Sequence, residues 1–203
     1  MRRRNTRHLT AAVDAAEREL IGLGAIDDAG KLTERGRQMS RFPLEPMSSR
    51  ILLAAFEHGC PSDVITLLAA LSVEHLVLSP AAKRDEAAAA HAPFRHPSGD
   101  HATLLNMVRA YDALGPHEDR RQWAADRFLS AKGLLQVDRA RKQLQQRCTR
   151  LDLDWVPSCG DDLERVVMAC ATGLVTQAAI KQPDGHYRTL MGCTVCGIDL
   201  RAS

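Results

Sequence analysis

Aromatic side chains are scarce, at 4% of the 203 residues. That argues against a surface that reads single strands mainly by stacking bases on rings. An excess of one charge is lacking too: 27 Lys and Arg against 25 Asp and Glu leave a formal net charge of +2. So mild a balance does not force a nucleic-acid partner, and any cationic surface has to be local. No apolar run reaches the roughly 18–20 residues of a membrane span. The opening stretch, MRRRNTRHLTAAVDAAEREL, is basic, but Asp14, Glu17, Arg18 and Glu19 break its apolar residues, so it is not a secretory signal. Catalytic signatures are missing as well. No GxxxxGK[ST] phosphate loop, GxGxxG, HExxH or GxSxG occurs, and no Ser/His/Asp arrangement suggests itself.

The cysteines, Cys60, Cys148, Cys159, Cys170, Cys193 and Cys196, follow no repeating pattern. They read as reduced thiols in an intracellular protein. Cys193 and Cys196 form a CxxC, but a structural zinc site wants a second pair or two histidines, and none follows. A redox pair would sit at a helix N-terminus within a βαβ pattern, which is absent. In a strand, two positions three apart point to opposite faces, so small apolar packing is the reading for this pair.

What is present is ordinary globular composition, 45% hydrophobic and 26% charged, enough for one good core or two smaller ones. Residues 9–23 carry a helical stripe of Leu9, Val13, Ala16, Leu20 and Leu23, stopped by Gly24. A short strand-like pair around Asp28-Ala29-Gly30 follows, then a short helix near 33–41 with Thr33 as its cap, closed by Pro43 and Pro46. These pieces make a winged-helix-like fragment.

Residues 47–116 read as antiparallel helices. Met47, Ile51, Leu52, Ala55 and Phe56 face a core, Gly59 ends the helix, and Pro61 starts another that buries Val64, Leu67, Leu68 and Leu71. The stretch SPAAKRDEAAAAHAPF reads as an alanine-rich, charged helix, solvated or loosely docked. In FRHPSGDHATLLNMVRAYDALGP, Asp100 is positioned to cap a helix whose stripe is Leu104, Met107, Val108 and Tyr111. His91, His96 and His101 fall five apart, which does not set two imidazoles on one helix face as a metal pair requires.

A longer helical region is expected from Asp119 to Leu153, with Val137, Ala140, Leu144, Cys148 and Leu151 inward. Arg139, Lys142 and Arg150 share another face, with Arg141 and Arg147 nearby. Such a face is either a solvated surface or a rail for phosphates. A last helix spans 160–173, with Asp161 and Asp162 at its positive end. Then a Pro-Asp-Gly turn, Tyr-Arg-Thr-Leu and a β-rich run at 194–200 read as strands.

Several stretches in order resemble the DEAH-box RNA helicases. LGAIDDAGKLTERGRQMSRFPLEP is similar to the end of their winged helix, LLAAFEHGC and LLAALSVEHLVLSP continue it, and FRHPSGDHATLLNMVRAYDAL is similar to the SGDH-x-TLLN motif of their ratchet-like domain. ARKQL resembles the Arg-x-QL of a later ratchet helix, and AAIKQPDGHYRTL the entry to their C-terminal oligonucleotide-binding (OB) fold. The resemblance covers about residues 9–198. It implies a mainly α fold: a partial winged helix over 1–45, a helical ratchet-like domain over 46–157, and a helix with the first strands of an incomplete OB-fold over 158–203.

The family's two RecA-like motor domains, which hold ATP and magnesium, have no counterpart in the chain. Nor does the first part of the winged helix, and where the family runs on to Ile-His-Pro-Ser-Ser the chain has Ile198-Asp-Leu-Arg-Ala-Ser203. Family members often have Trp-Cys at Trp123-Ala124. The resemblance therefore implies a fragment, an incomplete gene model or a degenerate paralogue, without catalysis or cofactor of its own.

As an accessory region it would bind single-stranded RNA and the motor domains, away from membranes, in the nucleus or nucleolus, in ribosome assembly or pre-mRNA splicing. The implied RNA-facing residues are Asp100, His101 and Thr103 at the ratchet helix start, Arg139, Arg141 and Lys142 on the basic helix, and Lys181, Tyr187 and Arg188 in the sheet. Tyr187 and Arg188 could equally be a strand pair in a barrel wall. The alternative function is a stand-alone adaptor for G-patch activator proteins, using residues 9–45.

Overall fold

The computed structural model describes residues 2–153, 157–184, 186–189 and 195–196, in two compact units: residues 1–54 with 169–203, and residues 55–168. In the first unit, α1 (Arg2–Gly22) ends at Gly24, whose φ of +68° is the left-handed conformation that a helix C-terminus favours in glycine. The chain then closes a small antiparallel bridge between Ile26 and Leu32 around Gly30. Thr33 caps α2 (Glu34–Met39), its Oγ1 accepting from the Gly36 backbone N–H at 3.0 Å and donating to the Gly24 carbonyl at 2.7 Å. Leu23, Ala25 and Met39 form the core, with Leu20, Met47, Leu53 and Val175 packed on it. Pro46 opens α3 (Pro46–Glu57) instead of closing α2, since a first helical position has no use for its missing N–H.

Helix α4 (Pro61–Leu71) is the axis of the second unit, entered from Gly59 at φ +69°. Val64, Ile65 and Leu67 are fully buried. Leu71, expected inside, is 49% exposed because it falls in the last turn, past the packed stretch. Helix α5 (Arg84–His91) is flanked by single 3-10 turns and buries only Ala87, as the alanine-rich composition predicts.

Helix α6 (Asp100–Asp112) follows, then α7 (Arg120–Asp126) and α8 (Ala131–Arg150). A continuous helix was expected over 119–153, and the break has a physical cause. Leu78 N–H donates to the Phe128 carbonyl and Ser130 N–H to the Leu76 carbonyl, so backbone groups at 128–130 pair with 76–78 and not within a helix. Phe128 takes φ +50°, and Ser130 caps the restart by accepting from Gly133 N–H. Met107, Val108, Tyr111, Leu134 and Val137 close the core over α4.

Helix α9 (Glu164–Gly173) starts four residues later than expected, after turns at Gly160 and Asp161. Gly173 lies against α3, where an added Cβ would come within 2.6 Å of the Met47 carbonyl. Strands β1 (Ala179–Lys181), β2 (Tyr187–Thr189) and β3 (Val195–Cys196) form an antiparallel sheet in that order. Of the expected Pro-Asp-Gly turn, Pro183 and Asp184 form a turn between β1 and β2, where Gln182 N–H donates to the His186 carbonyl at 2.7 Å, and Gly185 lies outside the described residues. Cys193 and most of the run 194–200 lie outside the described residues.

Candidate nucleic-acid interface

Helix α8 carries six cations and one acid, Asp138. Its buried stripe of Leu134, Val137, Leu144 and Cys148 faces the core. Lys132, Gln136, Arg139, Gln143, Gln146 and Arg150 recur at spacings of three and four and are all exposed. At 1.5 Å per residue this strip is about 27 Å long. Lys132, Arg139 and Arg150 make no ion pair among the described residues.

Arg141 and Lys142, expected alongside Arg139, are placed differently. Arg141 turns to α6: Nη1 pairs with Asp112 Oδ2, and Nη2 lies 3.4 Å from Asp112 Oδ1 and 3.1 Å from Asp138 Oδ1. Its side chain is 20% exposed. The hydrogen bond it donates to Asp112, opposed by burial and aided by Asp138, raises its pKa above the ordinary guanidinium value. Lys142 is exposed, and its Nζ sits 2.7 Å from Asp138 Oδ2. That hydrogen bond, against some desolvation and with help from Arg141, lowers the Asp138 pKa.

The start of α6 corrects another expectation. Asp100 is the first helical residue and Gly99, at φ +104°, is the cap, without a side-chain bond. Asp100 still favours the positive end of the helix through its charge. Thr103 Oγ1 accepts from His96 N–H and donates to the Gly99 carbonyl, both at 3.0 Å, so this hydroxyl closes its own turn. Asn106, which sequence reasoning did not single out, donates from Nδ2 to the Phe94 carbonyl at 3.2 Å. Thr103 and Asn106 thus tie the preceding loop to α6. His101 is partly exposed, and Asp100 is exposed. Asp100 lies twelve residues, about 18 Å, up α6 from the Asp112 contact with α8.

In the sheet, Lys181 pairs in register with Tyr187, and Ile180 with Arg188. Directly opposed residues share a face, so Lys181 and Tyr187 lie together while Arg188 is on the reverse side with Ile180. Tyr187 is half-buried; Lys181 and Arg188 are exposed.

A second arginine network was also missed. Asp63, 5% exposed on α4, accepts from Arg109 Nη2, Ser158 Oγ and Cys159 N–H, each at 2.7 Å. Arg109 donates further to the Gly160 carbonyl at 2.8 Å. Burial pushes the Asp63 carboxyl up, but Arg109, the Cys159 backbone and Ser158 outweigh it and leave its pKa below the ordinary value. Cys148, Cys159 and Cys170 are pushed up to about 11, mainly by burial. Among the described residues no group of three or more His, Cys, Asp or Glu is arranged to hold a metal ion, and no helix is long and apolar enough to cross a membrane.

Comparison with known proteins fits these elements. Residues 16–44 match the helicase associated domain (HA2), winged-helix, and residues 45–104 the helicase associated domain (HA2), ratchet-like. The chain is 34% identical over 180 residues to ATP-dependent RNA helicase DHX33 of Mus musculus, covering 87% of this chain and 25% of that protein. It is also 34% identical over 178 residues to the pre-mRNA-splicing factor ATP-dependent RNA helicase prp22 of Schizosaccharomyces pombe, covering 87% of this chain and 15% of that one. A probable ATP-dependent RNA helicase DHX35 homolog of Caenorhabditis elegans is 33% identical over 174 residues, 84% of this chain and 23% of its own. The chain thus spans a quarter or less of these relatives. With winged-helix and ratchet-like matches adjoining in sequence, and RNA helicases aligned along most of its length, the chain belongs to the helicase-associated C-terminal region of the DEAH-box RNA helicase family.

Proposed function

We propose that this chain is an RNA-binding accessory region that works with helicase motor domains in remodelling RNA or ribonucleoprotein, in ribosome assembly or splicing in the nucleus. The observation that carries the reading is the outward face of α8, where Lys132, Arg139 and Arg150 stand exposed without carboxylate partners among the described residues. Cations so placed meet phosphates without sequence preference, the contact that an advancing motor needs from its accessory surface. Lys181 and Tyr187, sharing a face of the small antiparallel sheet, add a phosphate partner and a stacking ring, in keeping with an OB-fold entry. Arg188 contributes from the reverse face or braces the sheet. Asp100 and Thr103 shape the start of α6, leaving His101 the better placed of the three to meet RNA. ATP and magnesium belong, in this reading, to the motor domains.

Titrating a labelled single-stranded RNA against the chain at increasing salt tests the proposal. The three cations of α8 and Lys181 make four phosphate contacts, which predict a log–log slope near −3, at about 0.7 per contact. Arg139→Ala should reduce it by about 0.7. Salt-independent affinity would refute the interface.

The adaptor reading is favoured by one feature of the first unit. A hollow of about 340 Å³ is lined by Leu20, Ile26, Leu32, Met39, Phe42 and Leu44, and Leu32 is 49% exposed. An apolar side chain of a G-patch peptide would fill it, with an affinity insensitive to salt.

A further inference from the structure

We propose that Arg141 is a positioning residue for the RNA strip of α8, which it serves by neutralising Asp112 and Asp138 and not by touching the nucleic acid. The inference rests on the RNA-binding reading above. A basic helix binds phosphates only as well as its neighbouring carboxylates allow. Two acids flank α8: Asp138, its single acid, and Asp112, at the C-terminal end of α6, which Arg141 holds on the side of α8 away from the strip. Both are more than a third exposed and would project negative potential toward a strand lying on α8. Across the diameter of a helix, about 10–12 Å and close to one Debye length at 0.1 M salt, screening is incomplete.

Arg141 meets both carboxylates with one guanidinium. Its fork engages both oxygens of Asp112, while Nη2 also takes Asp138 Oδ1 at 3.1 Å. Lys142 covers the remaining Asp138 oxygen at 2.7 Å. Two cations are thereby matched to two acids, and Lys132, Arg139 and Arg150 keep their full attraction for phosphate. Arg141 itself, 20% exposed and engaged at both ends of its fork, has no free edge for a second planar anion.

Four proteins test this with a short fluorescein-labelled oligouridylate: wild type, Arg141→Met, Asp112→Asn/Asp138→Asn, and all three changes together. Arg141→Met should weaken binding roughly tenfold at low salt by uncovering Asp112 and leaving Asp138 to Lys142 alone. The triple variant should return to within about twofold of wild type with an unchanged salt slope, a recovery that neither a direct contact nor a purely structural role provides. Because Arg141→Met also removes a link between α6 and α8, the Asp112→Asn/Asp138→Asn variant, with every cation kept, is an independent arm. It should bind several-fold more tightly than wild type. A triple variant that stays weak with its slope reduced by about 0.7, or an Asp112→Asn/Asp138→Asn variant no tighter than wild type, would overturn the proposal and leave the RNA interface standing. Failure of the wild-type chain to bind the oligouridylate would overturn both.

Discussion

Arg109 and Arg141 each bind aspartate within the unit of residues 55–168, but on opposite sides of a burial divide. Arg109 reaches a carboxylate that is 5% exposed and bonded on all sides by Ser158 and Cys159. Arg141 reaches two carboxylates that are 37% and 38% exposed. In the first, water cannot replace a lost partner, so the pair is an anchor that fastens residues 158–160 to α4. Around the second, water can, and the pair matters more for the potential it removes than for the helices it joins.

The largest test of that contrast is Arg109→Ala. It leaves the Asp63 charge buried without its counter-ion and should cost about 3 kcal/mol in urea unfolding of the full chain. A cost under about 1 kcal/mol would erase the distinction. Acid comes next. Asp63 is depressed in the folded state, so its contribution is present above the unfolded value of about 3.9 and is lost as pH falls through the lower folded value. Thermal melts should show wild type losing stability below about pH 4, and Asp63→Asn, already destabilised at neutral pH, should show a shallower acid dependence. Asp138 is depressed too, but its exposure limits its share. Arg141→Met should cost about 1 kcal/mol or less by the same urea measurement. Smallest is Lys142→Ala, about 0.3 kcal/mol for an exposed i,i+4 pair. An equal loss at Lys142 and Arg109 would show that burial does not rank these networks.

Where local chemistry decides, the sequence was readable. Thr33 caps α2, Gly59 turns left-handed and Pro61 opens α4, each from a preference of one residue in its own backbone setting. The inward stripe of α8 was legible because burial on a helix is periodic. The break between α7 and α8 was not, since no Gly or Pro marks it. Its cause is pairing with residues 76–78, fifty positions away in the chain. Asp100 misled because an acid just inside a helix and an acid at its cap look alike in sequence, and Gly99 took the cap. Of the site, the exposure of Arg139 was foreseeable from spacing. The diversion of Arg141 was not, because Asp112 lies 29 positions earlier and ion pairs across helices leave no periodic trace. Asp63 and Ser158, 95 residues apart, are a sharper case of the same blindness.

Cys60 and Cys148 are buried in the unit of residues 55–168, and Cys170 in the other. With Cys148 and Cys170 held near 11, only about one thiol in ten thousand is ionised at neutral pH, so alkylation has to wait for the surrounding packing to part. Each unit therefore carries a native stopwatch. Mass spectrometry of the tagged peptides would time how often each one breathes, with no substitution introduced.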